Sequence, residues 1–155
     1  MFREIKLDER KLDRESAVEM LRDGLYGVLS TIGANGYPYG VPVNYTYMDD
    51  SVYFHCALEG HKTDNIKLNE KVSFCMVAKS DILANNFDTD YKSVIIFGKA
   101  VEVTGDSEKE KFFLALINKY SAEYMEAGNN YMKKYWNDTK VIKINIEHIS
   151  GKAHE

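Results

Sequence analysis

The sequence predicts a mainly β fold: a small six-stranded antiparallel β-barrel with flanking helices. Three observations carry this. Short apolar runs alternate with polar residues, tight-turn signals separate them, and no helical stretch is long enough to cover both faces of a parallel sheet. The 155 residues show no internal repeat and suffice for one domain, 1–155. Eleven tyrosines, several alternating with polar residues, suit half-buried strands.

Asp13 is placed to cap a first helix, in which Ala17, Val18, Leu21 and Leu25 recur at helical spacing and which Gly24 and Gly27 close. Residues 26–32 form an apolar β-rich run ending at Gly33-Ala34-Asn35-Gly36, whose Asn-Gly pair is a strong hairpin signal. Residues 37–48 put Tyr39, Val41, Val43, Tyr45 and Tyr47 on one face, and Pro42 demands an edge position or a bulge there. Asp49-Asp50-Ser51 turns the chain into residues 52–57, completing a three-stranded meander. Leu58-Glu59-Gly60-His61 is a loop, 62–68 a short helix, and Asn69-Glu70-Lys71 a turn into strand 72–79. Residues 80–91 read as a polar loop. Residues 91–104 form a long strand in which Gly98 marks a bulge or bend. Ser107 with Glu110 makes a capping box for a helix carrying Phe112, Phe113, Leu116, Ile117 and Tyr120 on one face. Residues 121–138 are aromatic-rich and helical in part, and 141–149 alternates as the last strand.

The formal charge is −4 with lysines and acids interspersed, which disfavours a protein built around nucleic acid. No run approaches the roughly 20 apolar residues of a membrane span. The first fifteen residues are charged throughout, unlike a secretory signal, so no membrane contact and a cytoplasmic location are expected. Cys56 and Cys75 lie in apolar runs and read as reduced core residues.

Chemically capable residues are densest from His55 to Asn65. A strand ends, Gly60 loosens the loop, and Lys62 stands at the start of a helix, where unpaired N–H groups and the helix dipole favour an anion such as a terminal phosphate. The same residues also suit an ordinary strand-to-helix turn with a solvated lysine. His55, Cys56, His61 and Cys75 could supply four metal ligands, but no paired knuckle is present and His55 and Cys56, adjacent on a strand, point to opposite faces. No metal is expected. Nucleophile elbows, Rossmann glycines and a Walker loop are missing. Trp136 and its neighbouring tyrosines suit either a recognition surface or the cover of a core or dimer interface.

Four segments then stand in a familiar order: YGVLST (26–31), GYPYGVPVNY (36–45), VYFHCALEGHK (52–62) and SVIIFGKA (93–100), with Ser150-Gly151-Lys152-Ala153 near the end. Together they resemble the pyridoxamine 5′-phosphate oxidase-like superfamily, in its nitroimidazole-reductase branch. The resemblance implies an FMN-binding split barrel, a homodimer, and FMN held at the subunit interface. It places the FMN phosphate against the loop from His55 to Lys62, Ala57, Gly60 and His61 included, with Lys62 pairing and Asn65 within reach. Ser30 and Thr31 would face the ribityl chain or phosphate, and Val43 and Asn44 the edge of the ring. The partner subunit's Ser93 and the partner subunit's Trp136 would approach the ring. No arginine follows Arg22, so the determinants expected for a vitamin B6 phosphate substrate are missing.

The activity implied is FMN-dependent reduction of a small electrophile, such as a nitroimidazole or other nitroaromatic, with a nicotinamide nucleotide as donor. His55 and His61 both match the stretch that holds a flavin-adjacent histidine, and either could donate a proton. The alternative is a non-catalytic flavin- or haem-binding or sensing protein, with His55 or His61 as axial ligand. A nucleic-acid-binding barrel is a third reading that the acidic balance opposes.

Overall fold

Period-two patterning draws most of the chain into one antiparallel sheet. The computed structural model describes residues 1–155. Its elements are β1 (Lys11–Leu12), α1 (Arg14–Asp23), β2 (Gly27–Ile32), β3 (Pro38–Val43), β4 (Thr46–Met48), β5 (Ser51–Ala57) and α2 (His61–Leu68). There follow β6 (Lys71–Leu83), β7 (Asp88–Glu102), α3 (Asp106–Ser121), α4 (Met125–Lys134) and β8 (Thr139–His154). Short 3-10 turns at Ala122–Tyr124 and Trp136–Asp138 flank α4. No helix is long and apolar enough to cross a membrane.

The strands lie in the order β3-β2-β6-β7-β8-β5-β4, with β1 added to β8. β3 and β4 are at opposite ends of that order, yet only Asn44 and Tyr45 separate them in sequence. Three Cα–Cα steps reach about 11 Å at most. The sheet must therefore curl until its ends nearly meet. The closure is incomplete, because β4 pairs with β5 only from Ser51 to Tyr53. The remainder of β5 and the outer edge of β3 have no strand between them, and the barrel is split there.

This topology corrects the predicted meander. β5 pairs with β4 and β8 and never with β3. The expected single strand 37–48 breaks at Asn44, where the chain passes from one edge of the sheet to the other. Its division, with the two-residue β1, makes eight strands where six were expected. Pro42 does lie on an edge strand. Residues 80–91 are no loop: β6 and β7 continue as a hairpin in register to Leu83↔Asp88. Backbone pairing alone extends them, and side chains exposed on both faces leave no apolar alternation to read. The capping box also fails. α3 starts at Asp106 behind Gly105, which puts Ser107 inside the first turn, and no side chain caps it.

Other local signals hold. Asp13 Oδ1 accepts the Ser16 N–H at 2.8 Å. The β7–β8 register shifts between Phe97 and Gly98, and a Cβ on Gly98 would stand 2.3 Å from the Asn145 carbonyl oxygen, so the bend needs glycine.

Leu21, Leu29, Tyr45, Phe54, Phe74 and Ile96 fill the barrel. Tyr53, Phe112, Phe113, Met132 and Val141 form a second cluster under α3 and α4. α3 is pinned to the sheet through Glu108, whose Oε1 accepts from the Tyr53 hydroxyl at 2.7 Å and Lys143 Nζ at 2.8 Å. Tyr45 anchors the crossing. Its hydroxyl donates to the Leu21 carbonyl, its N–H donates to the Tyr120 hydroxyl at 3.1 Å, and its carbonyl accepts from Lys119 Nζ at 3.1 Å. Tyr45→Phe leaves the buried Leu21 carbonyl without this donor and should cost about 1–3 kcal/mol. Urea unfolding with an unchanged m-value is the check.

Candidate functional site

α2 begins at the split. Gly60, just before it, has φ 152° and ψ 171°, a conformation that only glycine adopts readily, and a Cβ built there meets nothing within 4 Å. The turn thus presents an open face. Thr63 Oγ1 donates to the Gly60 carbonyl at 2.7 Å and fixes the turn, while the N–H groups of the first turn have no acceptor within the helix. His61 stacks on Tyr39 of β3, ring centroids 3.9 Å apart, tying the start of α2 to the free edge of the sheet. Lys62 is half-buried, and its charge is felt at both His55 and Cys56.

The predicted hydroxyl and amide donors separate into two groups. Thr31 and Asn65 are 1% and 3% exposed, and Asn65 Nδ2 donates to Thr31 Oγ1 at 2.9 Å. Both side chains are committed to joining α2 to β2. Ser30, the neighbour of Thr31, points to the outward face opposite Gly40 and Ser73. At the far end of the same hairpin Val43 pairs with Gly27, and Asn44 Nδ2 donates to the Leu25 carbonyl at 3.0 Å. Gly27 and Thr31 are four residues apart on β2, so the two ends of this edge are about 13 Å apart.

Ala57 ends β5 in the open, opposite Thr139. Ser93 lies on β7 opposite Val77 and Lys152. Trp136 belongs to the underside of α3: Lys109 Nζ sits 4.7 Å from its ring centroid and donates to the carbonyls of Trp136 at 2.7 Å and Thr139 at 2.6 Å.

The two histidines occupy different places. His61 is at the split, whereas His55 projects from β5 beneath α3, its ring 6.3 Å from that of Phe112 and 6.0 Å from that of Phe113. His55 keeps an exposed edge, yet desolvation beneath these rings, and then the charge of Lys62, hold it below the ordinary imidazole value. Cys56 turns inward, and burial pushes its thiol up.

His55 opens onto a pocket of about 570 Å³ between α3, α4 and the sheet, lined also by Phe113, Leu116, Ile117, Tyr131 and Met132. Sequence reasoning missed this pocket. Its signal was the aromatic-rich segment 121–138, whose Tyr124 and Tyr131 stay exposed although they lie on helical turns.

The sequence pattern described as pyridoxamine 5′-phosphate oxidase matches residues 13–153. Among solved structures, a protein described as a 5-nitroimidazole antibiotic resistance protein of Bacteroides thetaiotaomicron is 19% identical, with TM-score 0.74 over 92% of this chain and 85% of that one. A conserved hypothetical protein of Mycobacterium tuberculosis gives TM-score 0.84 at 16% identity, over 98% of this chain and 91% of that one. The FAD and haem binding protein of Mycobacterium smegmatis gives 0.77 at 15%, over 94% and 74%. At these identities the likeness speaks to the fold. No curated protein matches the chain by sequence.

The neighbourhood of His55 can be tested directly. In an NMR titration its ring should show a midpoint below the ordinary imidazole value of about 6.5. Removing the nearby positive charge with Lys62→Met should raise that midpoint, and burial should still keep it below the ordinary value.

Proposed function

The chain belongs to the pyridoxamine 5′-phosphate oxidase family, and from that premise we propose that it binds FMN along the split of its barrel, between two copies, as a reductase of small electrophiles. One observation carries the reading. Gly60 and Lys62 open an anion-binding turn at one end of the β3 edge, and the backbone of Val43 and Asn44 lies about 13 Å away at the other. A phosphate at the first end and a flat ring at the second leave room for a ribityl chain between them.

The donor set fits a phosphate ester. First-turn amides and the Lys62 ammonium give charge-assisted bonds, and the outward Ser30 hydroxyl faces the path of the chain. Thr31 and Asn65 act indirectly, by holding α2 against β2. The His61–Tyr39 stack walls the split. FMN, when bound, supplies two-electron chemistry, with a nicotinamide nucleotide as the donor. The residues of the chain position it and keep water away. His55, held below the ordinary imidazole value, favours its neutral form, so it serves as a proton acceptor and donates only from its protonated minority.

The outward sheet face supports the dimer. Val28, Cys75 and Ile95 line up across β2, β6 and β7, beside Val77 and Phe97, and most of these apolar residues are exposed. A contiguous apolar sheet face of this kind suits a second copy. The partner's Ser93 lies on that face.

Substituting Lys62→Ala should weaken FMN binding about 10- to 100-fold, the loss of one charge-assisted bond, in a titration of flavin-free protein. Unchanged affinity would remove Lys62 from the phosphate site. Photoreduced holoprotein, kept anaerobic, should be reoxidised by an added nitroimidazole; a flavin that stays reduced with every such acceptor rules out the reductase reading. Ile95→Asp should halve the mass measured by light scattering. A second reading, a flavin or haem carrier without turnover, has one observation in its favour: His55 lines a largely apolar pocket, where an axial ligand could stand. A Soret band in the purified protein in place of flavin bands would select it.

A further inference from the structure

We propose that the pocket between α3 and α4 binds an uncharged, planar aromatic molecule of one or two rings, with His55 as its polar contact. The pocket, at about 570 Å³, is in the range of small-molecule sites. Eight of its 13 lining residues are hydrophobic, and four of them, Phe113, Tyr124, Tyr131 and Tyr135, are aromatic, a lining that suits a flat ring. Tyr131 and Tyr135 stand with centroids 4.6 Å apart on one side.

Charge selects an uncharged ligand. No lysine or arginine lines the pocket, and its one carboxylate, Asp138, has no cationic partner among the lining residues. An anion would meet Asp138. A cation would enter the field that Lys62 already imposes on His55. An uncharged ring avoids both, and the imidazole can donate to or accept from a ring substituent.

The pocket is preformed rather than loose. Beside it α4 approaches α3 so closely that a Cβ on Gly128 would stand 2.8 Å from Ile117 Cγ2. Lys109 ties the far end of the same segment to α3 through the Trp136 and Thr139 carbonyls. The gap between these two fixed points is held open. His55 lines it together with Thr139, which pairs with Ala57 three residues before Gly60, so the pocket lies near the turn at Gly60.

Menadione, an uncharged two-ring quinone, is the probe, titrated by calorimetry into flavin-free protein while the His55 ring is followed by NMR. Saturable binding that moves the His55 resonance is expected. Ala127→Trp, which fills the pocket from α4, should weaken menadione at least tenfold and leave the FMN affinity unchanged. Tyr131→Ala, at an exposed position, should weaken it through loss of one wall and checks the result should Ala127→Trp not fold. The anion 2-naphthoate should bind at least tenfold more weakly than menadione. Equal menadione binding in both variants, an unmoved His55 resonance, tighter binding of 2-naphthoate, or loss of FMN in place of menadione from Ala127→Trp would each overturn the proposal. Because the probe is measured without flavin, a wild-type protein that ignores FMN yet binds menadione would sink the flavin reading and leave the pocket standing.

Discussion

A two-residue link governs this molecule. Asn44 and Tyr45 carry the chain from β3, at one end of the sheet, to β4 at the other. A twisted sheet of seven strands in sequence of pairing would otherwise stay open, since nothing in strand pairing alone brings its ends together. Here covalent geometry does, and Tyr45 secures the crossing by bonding through its hydroxyl, N–H and carbonyl to α1 and α3. Lys119, which bonds that carbonyl and lies 4.1 Å from the centroid of the Tyr45 ring, is buried enough to bring its ammonium down to about 8. The crossing is thus held largely by paired polar groups, while the buried Thr46 hydroxyl next to it has no partner.

The same link explains why the barrel has a mouth. β4 is three residues long, so it covers only the first half of β5. Beyond Tyr53 the β5 backbone has a free side, and the β3 edge faces that gap. α2 fills one end of it, held by the Thr31–Asn65 bond on one side and the Tyr39–His61 stack on the other. A helix start, a glycine turn and a lysine thereby come to rest at an opening in the sheet, where a phosphorylated ligand could approach backbone donors that no strand has claimed.

The outer surface of the sheet divides into two territories. Over β5 and β8, α3 and α4 cover Tyr53, Val141 and part of His55, and the aromatic-lined pocket lies between these helices and the sheet. Over β2, β6 and β7 no helix lies, and Val28, Val77 and Ile95 face outward.

Local chemistry was legible in the sequence wherever one residue and its near neighbours decide the outcome. Asp13 capped its helix, Asn35-Gly36 and Asp49-Asp50 made their turns, Gly98 bent its strand, and Gly60-His61-Lys62 opened a helix, all because dihedral preference and short-range hydrogen bonds act within a few residues. The motif order was also enough to place the chain in its family, since a pattern of spaced segments survives without knowledge of what touches what. What the sequence could not decide were partners distant along the chain. It could not show that β3 and β5 never pair, that Thr31 spends its hydroxyl on Asn65, or that His55 and His61 part company, one under α3 and the other at the split. Those outcomes depend on curling one sheet until its ends meet, a constraint that belongs to all the strands at once and leaves no mark on the residues of any one of them.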